Sequence, residues 1–397
     1  MRLSYFILAL LMAQHGGLTP RAQELHRRAF VFDAHVHVVN RQFYQGGSMG
    51  ERSDRGQVDL PRMIEGGVDA LFFTMFVPED YYPQRYETKQ VLRLMDEAYR
   101  QISLNQDQIG IALNATDIGR LNRQGKVAAV LDLEGGFDMD GDLGVLRMLH
   151  RLGLRSFQLS AHNYGNHFAE PCCATSQVRG LTEQGRAVVR EANRLGMVIN
   201  VSHASQSAIQ QAVEASSDPI VSTHDGLKFF NDIPRTMSEP TLRKLAAKGG
   251  LIGFHIGNEF HNRPMFEYRS ARAGKPFWDR EDVHRALPMS IFEIDRKLTP
   301  QFPSGGGVRG TPPELLFTVE QWFRAVDKAI EWVGEDHVML GTDFDGGPTL
   351  PTPMRDIRDL PLLTQAMLNK GYSETRIRKF LGGNLLRVFR QVTEKRR

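Results

Sequence analysis

The sequence predicts an α/β protein folded as a (β/α)8 TIM barrel, and three observations carry that expectation. Short apolar runs alternate with longer amphipathic stretches eight times from Arg28 onward. The chain has 397 residues, 41% of them hydrophobic, which a barrel of eight strand–helix units fills as one domain. The runs are nearly continuous in apolar character, as expected for parallel strands covered on both faces.

The eight runs are Val31–Val38, Val68–Phe76, Val127–Leu133, Ser156–Ser160, Met197–Val201, Ile220–Thr223, Leu251–Ile256 and His337–Leu340. Helical patterns separate them, such as Thr182–Leu195, which ends at Gly196, a residue suited to stopping a helix. The connection from about Gly257 to Thr318 is too long for a plain barrel loop. A lid or an added subdomain is the expectation there. Its Ser304-Gly305-Gly306-Gly307 stretch reads as a flexible turn, because it does not join a strand to a helix as a phosphate loop would.

Ahead of the barrel, Arg2 precedes the apolar run Tyr5 to Ala13, followed by Gly16, Gly17 and Pro20. A basic start, an apolar middle and a small-residue cut after Ala13 or Ala22 describe an export signal over 1–22, with the barrel on 23–397. The chain is then periplasmic or secreted. The alternative is an ordinary N-terminal helix on a cytoplasmic enzyme. The apolar run is too short to span a bilayer, so stable membrane insertion is not expected. Lys and Arg number 49 against 46 Asp and Glu, a net charge of +3 that argues against nucleic acid as a partner. The two cysteines, Cys172 and Cys173, are adjacent. Neighbours rarely pair, because the bond would demand a strained peptide, so no disulfide framework is expected.

The polar residues acquire meaning once placed on this scaffold. The first run holds His35 and His37, two apart and therefore on one side of a strand. The third ends in Asp132-Leu133-Glu134, the fifth in Ser202-His203, the sixth in Thr223-His224, and the eighth in Thr342-Asp343-Phe344-Asp345. In a barrel the C-terminal strand ends converge on one face, where catalysis sits. Each residue alone has an ordinary reading: His-x-His as a core or surface pair, Ser-His and Thr-His as hydrogen-bonded structural histidines, Asp343 as a cap or turn residue. Their joint placement on five strands does not. Buried imidazoles and carboxylates without a cation would leave charges and hydrogen bonds unmet. Two divalent metal ions, most simply zinc, would satisfy them. His35 and His37 would hold one ion, His203 and His224 the other, with Glu134 as the bridge. Asp343 would shuttle the proton of an attacking water. The expectation is a metal-dependent hydrolase.

Further segments extend the pattern: Val58-Asp59-Leu60-Pro61, Glu65-Gly66-Gly67-Val68, Leu133-Glu134-Gly135-Gly136, Ala161-His162-Asn163, Gly180-Leu181-Thr182, Gly341-Thr342-Asp343-Phe344-Asp345-Gly346 and Gly382-Gly383-Asn384-Leu385-Leu386-Arg387. With these in order from about Phe32 to Arg387, the chain resembles the membrane dipeptidase (renal dipeptidase) family of zinc metallopeptidases, in the amidohydrolase superfamily. The resemblance implies hydrolysis of dipeptides by a hydroxide bridging two zinc ions. It implies that Glu134 bridges the ions and that His35, His203 and His224 are ligands. It also implies that His162 binds substrate and steadies the oxyanion, and that Arg235 holds the dipeptide's free carboxylate through a bidentate fork. A homodimer is implied as well.

The chain departs from that family in three places. His37 stands where an aspartate is usual, which leaves the site more positive by about one charge and should lower the pKa of metal-bound water. Arg235 is followed by Thr236 where asparagine is usual, and the 257–318 connection is longer. Two other functions stay open on these residues. One is an amidohydrolase acting on another amide, a lactam or an ester. The other is a non-catalytic metal-binding barrel, against which Asp343 weighs, since proton transfer needs it and metal binding alone need not.

Overall fold

The computed structural model describes residues 17–135, 142–160, 162, 167–174, 176, 178–276, 279, 288–302 and 310–394. Most of the expected export signal, the Gly305–Gly307 stretch, and Gly136, Ala161 and Asn163 lie outside the described residues.

The strands are β1 (Phe32–His37), β2 (Ala70–Val77), β3 (Ile109–Ile111), β4 (Val127–Gly135), β5 (Ser156–Gln158), β6 (Val198–Asn200), β7 (Val221–Asp225), β8 (Leu251–Phe254) and β9 (Val338–Leu340). Eight of them run parallel in the order β1-β2-β4-β5-β6-β7-β8-β9. Each matches one of the eight apolar runs. The short β3 is additional: it pairs with the start of β4, off the main path. Three residues centred on Gly110 are too few to register as an apolar run.

The ring is drawn together where the chain leaving β9 meets β1. Val36 bridges Phe344, the His37 amide donates to the Phe344 carbonyl at 2.9 Å, and the Asp343 amide donates to the His35 carbonyl at 2.9 Å. The first and last site residues of the chain are thereby placed side by side by backbone bonds.

Apolar side chains fill the lower barrel: Phe32, Phe72, Val130, Val198, Val221, Leu251 and Met339. The C-terminal helix Asn384–Thr393 contacts β1 and β9 on one side of the ring and β6 on the other, so it lies across the N-terminal mouth. It buries Leu385, Val388, Phe389 and Val392 there. Full burial of each large apolar side chain is worth roughly 1.5–3 kcal/mol. The polar strand ends are therefore carried on a firm apolar floor. The expected helix is found at Glu183–Leu195. Thr182 caps it by accepting from the Gly185 amide, and Gly196 ends it in the left-handed conformation.

The long connection after β8 carries helices Asn258–His261, Arg263–Ala273 and Ile291–Leu298 before the barrel helix Val319–Val333. Lys297 pairs with Asp80 at 2.7 Å, and Asp295 accepts from Arg93 at 2.6 Å and from Tyr81 at 2.6 Å, which fastens this insertion to the β2 side of the barrel mouth.

One expectation is corrected. Cys172 and Cys173 are joined in a disulfide. The pair lies in the irregular connection between β5 and the helix at 183–195, where no strand ladder or helix dictates the backbone and the intervening peptide can take the required geometry. Because it links neighbours, the bond closes no loop between distant segments.

Candidate active site

All the residues singled out at the strand ends meet at the C-terminal mouth. His35 and His37 project from β1, Glu134 from the end of β4, and His224 from β7. His203 follows β6 and Asp343 follows β9. Each of these six is under a tenth exposed. His203, Asp343 and His162 have φ of 64°, 63° and 53°, a left-handed backbone that histidine and aspartate tolerate better than bulkier residues. Holding such residues there costs on the order of 1–3 kcal/mol each, supplied by the surrounding fold.

Glu134 is the centre. Its Oε2 lies 3.2 Å from His35 Nε2 and 3.1 Å from His37 Nε2. Its Oε1 lies 3.2 Å from His203 Nε2 and 3.3 Å from His224 Nε2. One carboxylate thus presents one oxygen to each histidine pair. The Nε2 atoms of His35 and His37 are 3.2 Å apart, and those of His203 and His224 are 3.1 Å apart. Asp343 Oδ1 is 2.9 Å from His37 Nε2 and 3.7 Å from His35 Nε2.

Threonines and buried polar groups below the site orient the rings. Thr223 Oγ1 is 2.9 Å from His224 Nδ1 and 3.3 Å from His35 Nδ1. Asn200 donates to Thr223 Oγ1 at 2.8 Å. Asp33 accepts from the backbone and hydroxyl of Thr342 at 2.9 and 2.6 Å, and burial pushes its carboxyl up to about 6 against those bonds.

The electrostatics follow from burial and from this crowding. Burial would raise Glu134, but the His35 ring and hydrogen bonds from His203, His224 and His35 hold it well below the usual carboxylate range. Burial likewise opposes the charge on Asp343, which His255 and His37 outweigh, holding it low. Burial drives His203 and His224 well below the ordinary imidazole value, with Arg235 nearby adding to the effect. His37 goes the other way. Burial disfavours its charge, but the Asp343 and Glu134 carboxylates push it up to about 10.

These residues fit a pair of divalent cations. Two imidazole nitrogens facing each other at about 3 Å cannot both carry protons without repulsion, and the arrangement occurs twice. Asp343 Oδ1 is buried and faces the first pair, 2.9 Å from His37 Nε2. Among the described residues, three sets have potential ligand atoms within 4.8 Å of one another: His35, His37 and Asp343; His35, Glu134 and His224; and Glu134, His162 and His203. Neutral imidazole with carboxylate oxygen is a donor set suited to zinc.

Above the donors lies a cavity of about 270 Å³, lined among others by Phe76, His162, Arg235, Phe260, Arg269 and Phe302. It lies just below the usual range of ligand pockets, roughly 300–1,000 Å³, which favours a small substrate. His162 Nε2 is 3.6 Å from Glu134 Oε1, and its Nδ1 is 2.5 Å from Glu79 Oε1. Arg235 is buried. Its Nη2 donates to the His224 carbonyl at 2.7 Å, its Nη1 lies 3.5 Å from Asp225 Oδ1, and its Nε makes no hydrogen bond among the described residues. A buried guanidinium with an unsatisfied N–H is suited to a carboxylate.

Two residues of this site escape the sequence reading. His255 Nε2 is 2.9 Å from Asp343 Oδ2. It follows β8 directly, so the strand-end rule that finds His203 and His224 would have found it within the run Leu251–Ile256. Glu79 lies just past β2, where only its neighbour Pro78 marks the strand's end.

Fold and site together define a class: a barrel with imidazole and carboxylate groups that could hold metal clustered at its strand ends. A sequence model of the membrane dipeptidase family, peptidase family M19, matches residues 19–397, and the chain belongs to that family. It is 27% identical to Dipeptidase tcpJ of Claviceps purpurea (strain 20.1), covering 85% of this chain and 70% of that protein. It is also 27% identical to Dipeptidase 3 of Rattus norvegicus, covering 86% of this chain and 60% of that one. The chain thus spans under two thirds of the rat protein's length. The fold is similar to that of the probable dipeptidase PvdM from Pseudomonas aeruginosa, with a TM-score of 0.78, 23% identity, and coverage of 95% of this chain and 100% of that one. It is similar as well to a metallo peptidase from Rhodobacter sphaeroides liganded with a phosphinate mimic of the dipeptide L-Ala-D-Ala. There the TM-score is 0.69 at 23% identity, over 92% and 99% of the two chains.

Proposed function

We propose that this protein hydrolyses the peptide bond of dipeptides with the help of two divalent cations, zinc being the choice that suits the donors. The carrying observation is the division of Glu134 between two histidine pairs, one oxygen to each. His35, His37, Asp343 and Glu134 Oε2 would hold one ion; His203, His224 and Glu134 Oε1 would hold the other. Bound there, the cations would activate water and polarise the scissile carbonyl.

The chain's own groups would do the rest. Arg235 would receive the substrate's free carboxylate on its buried guanidinium, through the Nε that makes no hydrogen bond among the described residues, which restricts cleavage to short substrates. His162, held through Nδ1 by Glu79, would turn Nε2 toward the oxygen on which negative charge develops. Asp343 would accept the proton of the attacking water and pass it to the leaving amine. Dipeptide hydrolysis should vanish on exhaustive chelation and return with zinc. Activity untouched by chelation would overturn the reading.

The substitution of His37 for an acidic ligand supports a second reading, an amidohydrolase for another amide, a lactam or an ester. Such an enzyme acting on neutral substrates would be indifferent to Arg235→Ala. Export is proposed too. Thr19 caps the helix Pro20–Arg28 and bonds Gln365 through its amide and hydroxyl, at 2.9 and 2.7 Å. A cut after Ala13 preserves that anchor and one after Ala22 removes it, so the former is the site proposed. A homodimer remains part of the proposal, with sedimentation as its test.

A further inference from the structure

We infer that His255 is a positioning residue for Asp343: a ring fixed in one tautomer that holds Oδ2, so that Oδ1 alone faces the His35–His37 donors.

The tautomer follows from one contact. The Gly257 amide donates to His255 Nδ1 at 2.8 Å. A backbone amide can only donate, so Nδ1 presents a lone pair, and the proton of the neutral ring sits on Nε2. Nε2 is 2.9 Å from Asp343 Oδ2, and the bond there runs from His255 to the carboxylate.

The ring has no freedom to turn. It stacks on Phe260 at 3.7 Å between centroids with 16° between planes. Its backbone is pinned as well, since the carbonyl of His255 accepts from Trp322 Nε1 at 2.9 Å and lies 2.7 Å from His261 Nε2. Burial drives His261 down to about 3, so that ring is neutral, and Nε2 is its donor.

Gly257 is shaped to this purpose. Its φ of −70° is open to any residue, so conformation does not demand glycine. Close approach does: a Cβ there would lie 2.6 Å from His255 Cε1 and 2.8 Å from Nδ1. Gly257, Phe260 and His261 form the root of the long insertion after β8. That root therefore builds one wall of the Asp343 environment.

The consequence is a division of labour on one carboxylate. Oδ2 is committed to His255, and Oδ1 is the oxygen that faces His37, at 2.9 Å. Outer partners of this kind fix the orientation of the groups that meet the metal, and their loss costs about 10–100-fold in activity or metal affinity.

The inference rests on the reading of Asp343 as a working group of the proposed dipeptidase, and the experiment separates the two. Zinc-loaded wild type, His255→Leu, His255→Gln and Gly257→Ala are compared for dipeptide kcat and KM, for zinc retention against a competing chelator, and for Tm. Glutamine keeps an N–H that reaches Oδ2; leucine does not. His255→Leu should lower kcat about 10–100-fold with KM within about twofold, and should release zinc more readily. His255→Gln should recover most of both, and Gly257→Ala should fall between. Nitrogen-15 spectra of histidine-labelled protein should show the His255 signal, assigned by its loss in His255→Gln, as the Nε2–H tautomer.

Wild-type kcat and zinc retention in His255→Leu would overturn the inference. So would equal losses in the Leu and Gln variants with a matching fall in Tm, or an Nδ1–H signal. Should wild type cleave no dipeptide, the activity reading falls, while zinc retention and the tautomer still decide on His255.

Discussion

Removing the Arg235 guanidinium should abolish discrimination between a dipeptide and its C-terminal amide. The magnitude comes from the state of that side chain. Nε and Nη1 are buried without hydrogen-bond partners, while Nη2 is already bound to the His224 carbonyl. A carboxylate reaching Nε gains one charge-assisted bond, worth about 1.5–3 kcal/mol. At 1.4 kcal/mol per tenfold, kcat/KM for free dipeptides should fall about 10–100-fold in Arg235→Ala. The amide makes a weaker contact and should lose only about threefold or less. Arg235 also lies 3.5 Å from buried Asp225, so the substitution carries a structural cost of its own. Comparing two substrates on the same variant cancels that cost, because both meet the same altered protein. Arg235→Lys keeps the charge and loses the directed Nε–H, and should recover only part of the discrimination. The assay is steady-state kinetics on a matched acid and amide pair with wild type and both variants. An acid-to-amide ratio that survives Arg235→Ala unchanged would refute the assignment of this arginine to the substrate carboxylate.

Two further outcomes concern the scaffold. Asp69 accepts from the Val31 amide at 2.8 Å, and partial burial pushes its carboxyl up to about 6, above its unfolded value near 3.8. The folded state therefore holds the proton more tightly, and the stability this confers is full below about pH 4 and lost as pH rises through 6. Asp69→Asn keeps an acceptor for Val31 and removes the charge, so it should raise Tm at pH 7 and leave it unchanged relative to wild type at pH 4; an equal gain at both would exclude the charge as the cause. At Gly341, a Cβ would overlap the Thr223 carbonyl oxygen, a backbone atom that cannot step aside. Gly341→Ala should destabilise by about 1–3 kcal/mol or more and disturb the neighbouring Thr223–His224 contact, read as lower Tm together with weaker zinc retention.

The barrel was legible because its strands are buried on both faces, which writes each as an apolar run whatever its exact ends. The site was legible wherever a candidate residue sits on or just past such a run, as His35, His37, Glu134, His203, His224 and Asp343 do. Local reading failed in three kinds of place. His162 and Arg235 lie in connections, where nothing in the local pattern separates them from solvated loop residues; the family resemblance identified them. His255 followed the strand-end rule but had no second histidine or acid beside it to draw notice. Glu79 and the insertion contacts of Asp295 and Lys297 are tertiary: their partners, His162, Arg93, Tyr81 and Asp80, are remote in sequence. The Cys172–Cys173 bond was misjudged because a rule about ordinary backbone was applied to an irregular segment.

The physical tension at the mouth explains why so much of the chain is committed to it. Five buried imidazoles, the half-buried His162 and two buried carboxylates crowd together: His35, His37, His203, His224 and His255, with Glu134 and Asp343. Three of these residues stand on left-handed backbone. Protons alone resolve the crowding poorly, since burial drives His203 and His224 toward neutrality while the acids pull His37 toward charge. Cations shared by both carboxylates would relieve each conflict at once, and each ring would then serve as a neutral donor. The outer contacts of Thr223, Glu79 and His255 become intelligible on the same ground. Each acts on the far side of a group that faces the centre, fixing which atom it offers. A site assembled this way should be far more stable with its metals than without. Zinc should therefore raise Tm, by an amount that grows with free metal concentration as expected for a ligand binding the folded state alone.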